Sequence, residues 1–283
     1  KHYDLGNDFF ALWLDEEMTY TCGYARHVDD SLETMQRQKL DLVFDKIRLE
    51  PGHRLLDLGC GWGALALRAA ATRGAQVTAV NVSRPQLDRL RHEARARGLS
   101  ERVSVVQADF RQCRGRHDRV TAVGLAEHVG QHRLVDLFRT IAARLVPGGV
   151  AMVHTIGSAD TPGADPWIER RIFPGAHVPT LSELARAAEA HGLRIEHVEN
   201  LGPHYALTLQ HWYQGFRRHR ERIRADHGER FCRTWELYLA LLVPTFEALS
   251  TSLFQVVMTR GEGPSPSLHE ALIPSKHNLP LWR

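Results

Sequence analysis

Cysteine is scarce and scattered in this chain. Cys22, Cys60, Cys113 and Cys232 stand far apart, and no C-x-x-C pair occurs. That excludes the usual zinc clusters and a disulfide framework, so no metal is expected and a reducing, cytoplasmic setting fits. Long apolar runs are also missing. None reaches the ~20 residues of a membrane-spanning helix, and no signal-like stretch opens the chain. Lysine is rare, so the basic residues are nearly all arginine, and the net charge of +3 is too small to argue for nucleic acid. No G-K-[ST] follows the glycine turn, which excludes a phosphate loop. Repeats and low-complexity segments are absent, apart from a Pro/Ser-containing stretch at 261–267. The chain opens on Lys1 rather than methionine, so its natural beginning is expected to lie upstream. Its 283 residues are ample for a buried core.

What is present is a strand–helix rhythm. RLLDL (54–58), QVTAV (76–80), VSVVQ (103–107), RVTAVGL (119–125) and VAMVHTI (150–156) predict strands, with helices over 63–72, 85–97 and 132–144. Pro147-Gly148-Gly149 is expected to stop the last of these helices. The alternation predicts an α/β fold, a doubly wound parallel sheet with right-handed crossovers. After residue 157 the rhythm changes. Thr180 and Glu183 predict a capping box for a helix over 181–191. RIEHVENL (194–201) and FQVVMTR (254–260) predict two more strands, paired at the end of a seven-stranded sheet. About fifty helical residues lie between them, more than a crossover needs. They carry Tyr205, Trp212, Tyr213, Phe216, Phe231, Trp235, Tyr238 and Phe246. These aromatics fit a helical cover for the sheet or a lid over an apolar substrate, and the residues alone do not choose.

The stretch LLDLGCGWGALALRAA (55–70) is a strand, a glycine turn and a helix. Dinucleotide folds use G-x-G-x-x-G there, to bring a helix N-terminus against a pyrophosphate. Here the order is Asp57-x-Gly59-x-Gly61-x-Gly63, and Trp62 crowds the place of a diphosphate. A cofactor without phosphate, such as S-adenosylmethionine, suits this turn better. Gly59 and Gly61 let the backbone approach it, and Asp57 orients the turn or meets the ammonium through water. Asn81 ends the second strand, where a partner for ribose hydroxyls is needed, and Gln86 shares that task. Phe110, in Asp109-Phe110-Arg111, fits either an adenine-stacking surface or core packing. In doubly wound sheets ligands lie beyond the carboxyl ends of the strands, at the switch point. Glu127 follows the fourth strand, His154 stands among the last residues of the fifth, and Tyr205 begins a helix past the sixth. All three are expected to converge above the cofactor.

At these residues the chain resembles the cyclopropane-fatty-acid synthase family, which includes the mycolic acid cyclopropane synthases. The resemblance rests on HYDLGNDFFALWLD (2–15), MTYTCGY (18–24), LDLGCGWGALAL (56–67), EHVG (127–130), HTIG (154–157), IFPGAHVPTLSE (172–183), ENLGPHYALTL (199–209), GERF (228–231) and QVVMTRG (255–261). It implies methylation of the double bond of an unsaturated fatty acyl lipid by S-adenosylmethionine. A carbocation follows, and loss of a proton from the added methyl closes a cyclopropane ring. The implied base is bicarbonate, held by Cys22, Glu127, His154, the Ile156 backbone and Tyr205. The implied cofactor contacts are Tyr20, Thr21, Gly59, Gly61, Asn81, Val82, Gln86, Phe110 and Arg111. One departure is Gly124-Leu125-Ala126 before EHVG, where the family often carries bulkier residues, and an enlarged or reshaped acyl tunnel is expected.

On the same resemblance the chain is one domain. It has an N-terminal helical lid segment (1–50), a cofactor-binding core (51–157), acyl-substrate helices with the final strands (158–260) and a tail (261–283). Implied partners are the acyl lipid and an anionic membrane surface met peripherally through FRRHRERIR (216–224), with a homodimer left open. Three readings compete: an amine N-methyltransferase on the same scaffold, a binding module without turnover, and nucleic-acid binding through 216–224. An amine has a lone pair and needs no carbocation machinery, so Cys22, Glu127, His154 and Tyr205 together favour the alkene.

Overall fold

The computed structural model describes residues 5–158, 163, 165–248 and 250–261. The strands are β1 (Arg54–Leu58), β2 (Gln76–Asn81), β3 (Val103–Gln107), β4 (His117–Val123), β5 (Leu145–Ser158), β6 (Leu193–Asn200) and β7 (Thr251–Arg260). They form one seven-stranded sheet in the order β3-β2-β1-β4-β5-β7-β6. β1 to β5 run parallel, and β7 is antiparallel to both of its neighbours. The order turns back between β1 and β4, so the crevice beyond their carboxyl ends is the ligand position of a doubly wound sheet. The fold and the paired end strands are as the periodicity predicts.

The helices are α1 (Asn7–Ala11), α2 (Leu32–Lys46), α3 (Ala64–Arg73), α4 (Arg84–Ala96), α5 (Gln131–Arg144), α6 (Pro166–Arg171), α7 (Leu181–Glu189), α8 (Gly202–Arg218), α9 (Arg220–His227) and α10 (Glu229–Glu247). Val43 and Phe44 of α2, Ala66 of α3 and Leu90 of α4 pack with Val77 and Val257 in one core. Phe138 of α5 and Leu184 of α7 join Val120 and Val256 in a second. α7 starts at the expected capping box, with Thr180 and Glu183 bonding reciprocally.

Two expectations are corrected. β5 begins at Leu145 and runs through Pro147-Gly148-Gly149, with a register break opposite His117 and Arg119. It extends to Ser158 because β7 supplies partners along its length, up to Ser158 opposite Thr251. His154 is therefore an interior residue of β5, not one of its last. The basic stretch 216–224 is not one helix either. It breaks at His219, and Arg220 is held by Glu229 at 2.6 Å and Glu236 at 3.1 Å.

The late helices pack on more than the sheet. Trp212, Phe216, Trp235 and Phe246 are buried in a third core with Phe9, Phe10 and Trp13 of the N-terminal segment. Phe9 meets Trp235 edge-on at 5.0 Å, and Trp13 meets Trp212 at 5.8 Å, both favourable T-shaped geometries. These helices thus clamp the N-terminal segment rather than cover the sheet alone. Among the described residues no helix is long and apolar enough to cross a membrane. The Pro/Ser stretch and most of the tail lie outside the described residues.

Candidate active site

The turn after β1 is left-handed at Gly59, Gly61 and Gly63. Gly63 is needed for packing, since a Cβ there would lie 2.2 Å from Leu90 Cδ1 of α4. Gly61 is different: a Cβ there would meet no protein atom within 4 Å. Its open side faces a cavity of about 310 Å³. Trp62 stands in the wall of that cavity. Its Nε1 donates to Asn7 Oδ1 at 2.7 Å and its ring packs on Phe10 at 5.1 Å, which latches the N-terminal segment over the turn.

Of the expected cofactor contacts, Tyr20, Thr21, Asp57, Gly59, Gly61, Asn81, Val82, Gln86 and Phe110 all line this cavity. Asn81 Nδ2 donates to Gln86 Oε1 at 2.7 Å, and Asn81 Oδ1 accepts from the Val82 N–H at 2.8 Å. Phe110 is both cavity wall and core residue. Arg111 is not among the lining residues. Its guanidinium pairs with Asp109 at 2.7 Å and lies over the Phe110 ring at 5.8 Å, so it braces the ring from behind.

Asp57 Oδ1 accepts from Thr121 Oγ1 at 2.9 Å, while its buried Oδ2 has no partner among the described residues. Burial lifts its pKa from 3.8 to about 6, against the opposing influence of Thr121 and Lys39. An unpartnered carboxylate oxygen in the wall fits the ammonium of an amino-acid-bearing cofactor. Because the folded pKa is raised, the free protein gains stability below the ordinary 3.8 and loses it as pH rises through about 6. Affinity for a cationic ligand runs the other way and grows over that window. Asp57→Asn is expected to weaken S-adenosylmethionine binding by roughly 10- to 100-fold, the worth of a hydrogen bond to a charged group. Calorimetry at pH 5 and pH 8 checks it, and the variant should lose the pH dependence.

A second cavity, of about 270 Å³, adjoins the first. Cys22, Glu127, His154, Ile156 and Tyr205 all line it, and Tyr20, Thr21, Gly124 and His128 line both cavities. Those four residues frame the passage between them. The shape follows from the fold. Glu127 sits in a 3-10 turn after β4, His154 and Ile156 on β5, Tyr205 in the first turn of α8, and Cys22 on the N-terminal segment. That segment is held by Gln36 Nε2 on the Thr21 carbonyl at 2.7 Å and Lys39 Nζ on Thr21 Oγ1 at 2.8 Å. Gly124 lines both cavities and Leu125 the first, whereas Ala126 is buried in a core.

The polar groups here are mostly neutral donors. Burial pushes the Cys22 thiol well above its usual range, and Sγ lies 3.0 Å from the Gly23 carbonyl. A protonated, fully buried thiol donates and does not attack. Burial, with Lys39 and Lys46 nearby, drives His154 far below the ordinary imidazole value, so the ring is neutral. Its Nε2 is buried without a partner among the described residues. Glu127 is the acceptor: Oε2 takes a bond from Thr155 Oγ1 at 2.8 Å, and Oε1 faces the Ile156 N–H at 3.4 Å. Tyr20, Phe173, Tyr205, Tyr238 and Phe246 supply aromatic wall, and Tyr20 and Tyr238 share a hydroxyl contact of 3.1 Å.

Several residues of this site escaped the sequence reading. His128 lines both cavities, and Arg133 and Lys39 line the first. Lys39 is buried near Asp15, Cys22 and Asp57, and burial lowers its pKa to about 8. A signal existed: Lys39 and Lys46 lie seven residues apart on α2, in line with buried Val43, in a chain poor in lysine. Charged residues on an apolar face need partners across the fold.

The fold and the adjoining cavities define an S-adenosylmethionine-dependent methyltransferase. Residues 1–256 match the family described as mycolic acid cyclopropane synthetase, and the chain belongs to that family. It is 38% identical over 262 residues to a cyclopropane-fatty-acyl-phospholipid synthase of Escherichia coli, covering 92% of this chain and 67% of that protein. A probable fatty acid methyltransferase of Pseudomonas putida is 36% identical, covering 92% and 68%. Among solved structures, the cyclopropane synthase MmaA2 from Mycobacterium tuberculosis aligns with a TM-score of 0.87 at 30% identity, covering 92% of this chain and 96% of that one. The mycolic acid cyclopropane synthase CmaA1 complexed with SAH and CTAB aligns at 0.86 and 29% identity, with the same coverage.

Proposed function

We propose that this enzyme adds a methylene unit from S-adenosylmethionine across the double bond of an unsaturated fatty acyl lipid, forming a cyclopropane ring, with bound bicarbonate as base. The observation that carries this reading is the second cavity, where Cys22, Glu127, His154, Ile156 and Tyr205 meet beside the cofactor cavity. Residues 20–22, from one short segment, line one or both cavities. The lipid-acting relatives named above support the same substrate class.

The donor set fits a small planar anion that carries one proton. The His154 Nε2–H and the Tyr205 hydroxyl would supply donors, the Cys22 thiol and the Ile156 N–H would turn to the anion from the Gly23 carbonyl and Glu127, and Glu127 would supply the acceptor. Bicarbonate in this position would supply the base for the proton lost from the added methyl. The chain's own residues do the rest. The glycine turn, Asp57, Asn81 and Gln86 would place the cofactor, and the junction of the two cavities would align its methyl with the acyl chain. An isolated alkene is a weak nucleophile, so excluding water at this point matters. Aromatic faces in the wall stabilise a developing carbocation by up to ~2 kcal/mol without trapping it. Cys22, held as a thiol, does not trap it either.

The test is mass spectrometry after incubating the chain with unsaturated phospholipid and S-adenosylmethionine. A gain of one CH2 in the acyl chain that survives hydrogenation is expected. A gain on an amine headgroup instead would favour the N-methyltransferase alternative.

Contact with an anionic surface is part of the proposal, but relocated. Arg220 is committed to ion pairs with Glu229 and Glu236, which also line a groove where Arg171, Arg217, Arg230 and Arg233 stand beside Trp167 and Tyr213, and the basic contribution is assigned to those four arginines. The groove shares α6 and α10 with the second cavity, through Trp167 beside Ile168 and Leu237 beside Tyr238. Each arginine near an anionic surface is worth about 1 kcal/mol. Replacing Arg171, Arg217, Arg230 and Arg233 with Gln is expected to weaken binding to anionic vesicles by ~10³-fold at low salt. Turnover on detergent-dispersed substrate should change little, and equal losses in both assays would refute the assignment.

A further inference from the structure

Behind His154 lies a polar file that the proposed reaction does not yet use. Gln255 on β7 stands directly opposite His154 on β5 and opposite Glu199 on β6. Directly opposed residues of antiparallel strands project from the same face, so the three side chains form one row. Lys46, the last residue of α2, donates to both Glu199 Oε2 and Gln255 Oε1. Gln255 Nε2 lies 3.1 Å from His154 Nδ1. Lys46, Gln255 and His154 are all buried, at 1%, 0% and 1% exposure, out of reach of bulk solvent.

The chemistry of the row leaves one arrangement. An ammonium has only donors, so the Gln255 oxygen must face Lys46. The other end of the amide is then its NH2, which also only donates, and it faces Nδ1. Nδ1 must therefore offer a lone pair. A neutral imidazole with a bare Nδ1 carries its one proton on Nε2, the atom left unpartnered in the buried site.

We propose that Lys46 and Gln255 are positioning residues that lock the tautomer of His154, so that Nε2–H is presented as a donor to the anion subsite. With the opposite tautomer the subsite would meet a lone pair, which repels an anion. The tautomer lock stands on the row itself, whereas its catalytic use rests on the bicarbonate reading.

The test begins without cofactor or carbonate. The full chain, labelled with 15N at histidine, is examined by NMR, and His154 is assigned by the signals lost in His154→Asn. The wild type is expected to show a bare, pyridine-type Nδ1 and a protonated, pyrrole-type Nε2. A wild-type proton on Nδ1 would overturn the proposal, whatever any variant does. In Lys46→Met the amide is free to turn, and a share of Nδ1-protonated His154 is expected. In Gln255→Glu the group facing Nδ1 becomes an acceptor, and Nδ1 is expected to gain a proton. Unchanged tautomers in both folded variants would also overturn it. In Lys46→Met the carbonate needed for half-maximal rate is expected to rise ~10-fold, the loss of about one hydrogen bond, with S-adenosylmethionine affinity unchanged. A shifted tautomer with an unshifted carbonate requirement would refute the catalytic use alone. A wild type indifferent to carbonate would refute the bicarbonate reading and leave the lock standing.

Discussion

Glu127→Gln is expected to lower product formation on unsaturated lipid by ~10²-fold, about 2.7 kcal/mol of barrier, while S-adenosylmethionine affinity stays within a few fold. The separation follows from position. Glu127 lines the second cavity and not the cofactor cavity. The amide keeps the shape of the carboxylate but reverses one of its two faces. In the native site both oxygens accept, one from Thr155 Oγ1 and one facing the Ile156 N–H. A glutamine oxygen serves one of those donors, and its NH2 opposes the other. If the oxygen keeps Thr155, the Ile156 N–H faces another donor, and the anion subsite loses its acceptor. Depleting dissolved carbonate should slow the wild type, and restoring it should recover the rate. Turnover on unsaturated lipid that ignores both changes would remove bicarbonate and Glu127 from the reaction.

Gly61→Val is expected to reduce S-adenosylmethionine affinity by on the order of 10²-fold or more, with the fold retained. The Cβ position at Gly61 has no protein atom within 4 Å, so the added branch enters cavity space. Residue 61 is in the left-handed region at φ +55, where a β-branched side chain is strained by about 1–2 kcal/mol. That is a fraction of the ~5–15 kcal/mol that holds a domain folded. Gly63→Val makes the contrast, since its Cβ would strike Leu90 and the fold itself should suffer. Circular dichroism and calorimetry separate the two: lost binding in a folded Gly61→Val supports the cofactor assignment, and unchanged binding contradicts it.

Most strands were legible because an apolar run bounded by turn residues marks them, whereas the start of β5 lay hidden before Pro147-Gly148-Gly149. β1 and β3 fall on the predicted residues, and Thr180 with Glu183 marks the start of α7. The glycine turn announced the cofactor cavity because its spacing is local. The site's second half is less local, and only the family resemblance brought Cys22 to it. Cys22 reaches Glu127 and His154 only because Trp62 holds Asn7, Phe9 packs on Trp235, and α2 grips Thr21. None of those contacts has a short-range pattern. The same holds for the row behind His154, which depends on the cross-strand register of β5, β7 and β6. Arg111 lies outside the cavity lining for the opposite reason, since its partner Asp109 is two residues away and engages its guanidinium.

The most direct test of the central claim uses S-adenosylmethionine with a trideuterated methyl group and vesicles of an unsaturated phospholipid. If the chain closes a ring by losing a proton from the added methyl, the acyl product keeps two of the three deuterium atoms. Catalytic hydrogenation under mild conditions should then leave that product unchanged, because it contains no double bond. Retention of all three, or label on a headgroup nitrogen, would mean simple methylation. A product that keeps two but takes up hydrogen would be a methylene branch, and either result would contradict cyclopropane formation by this enzyme.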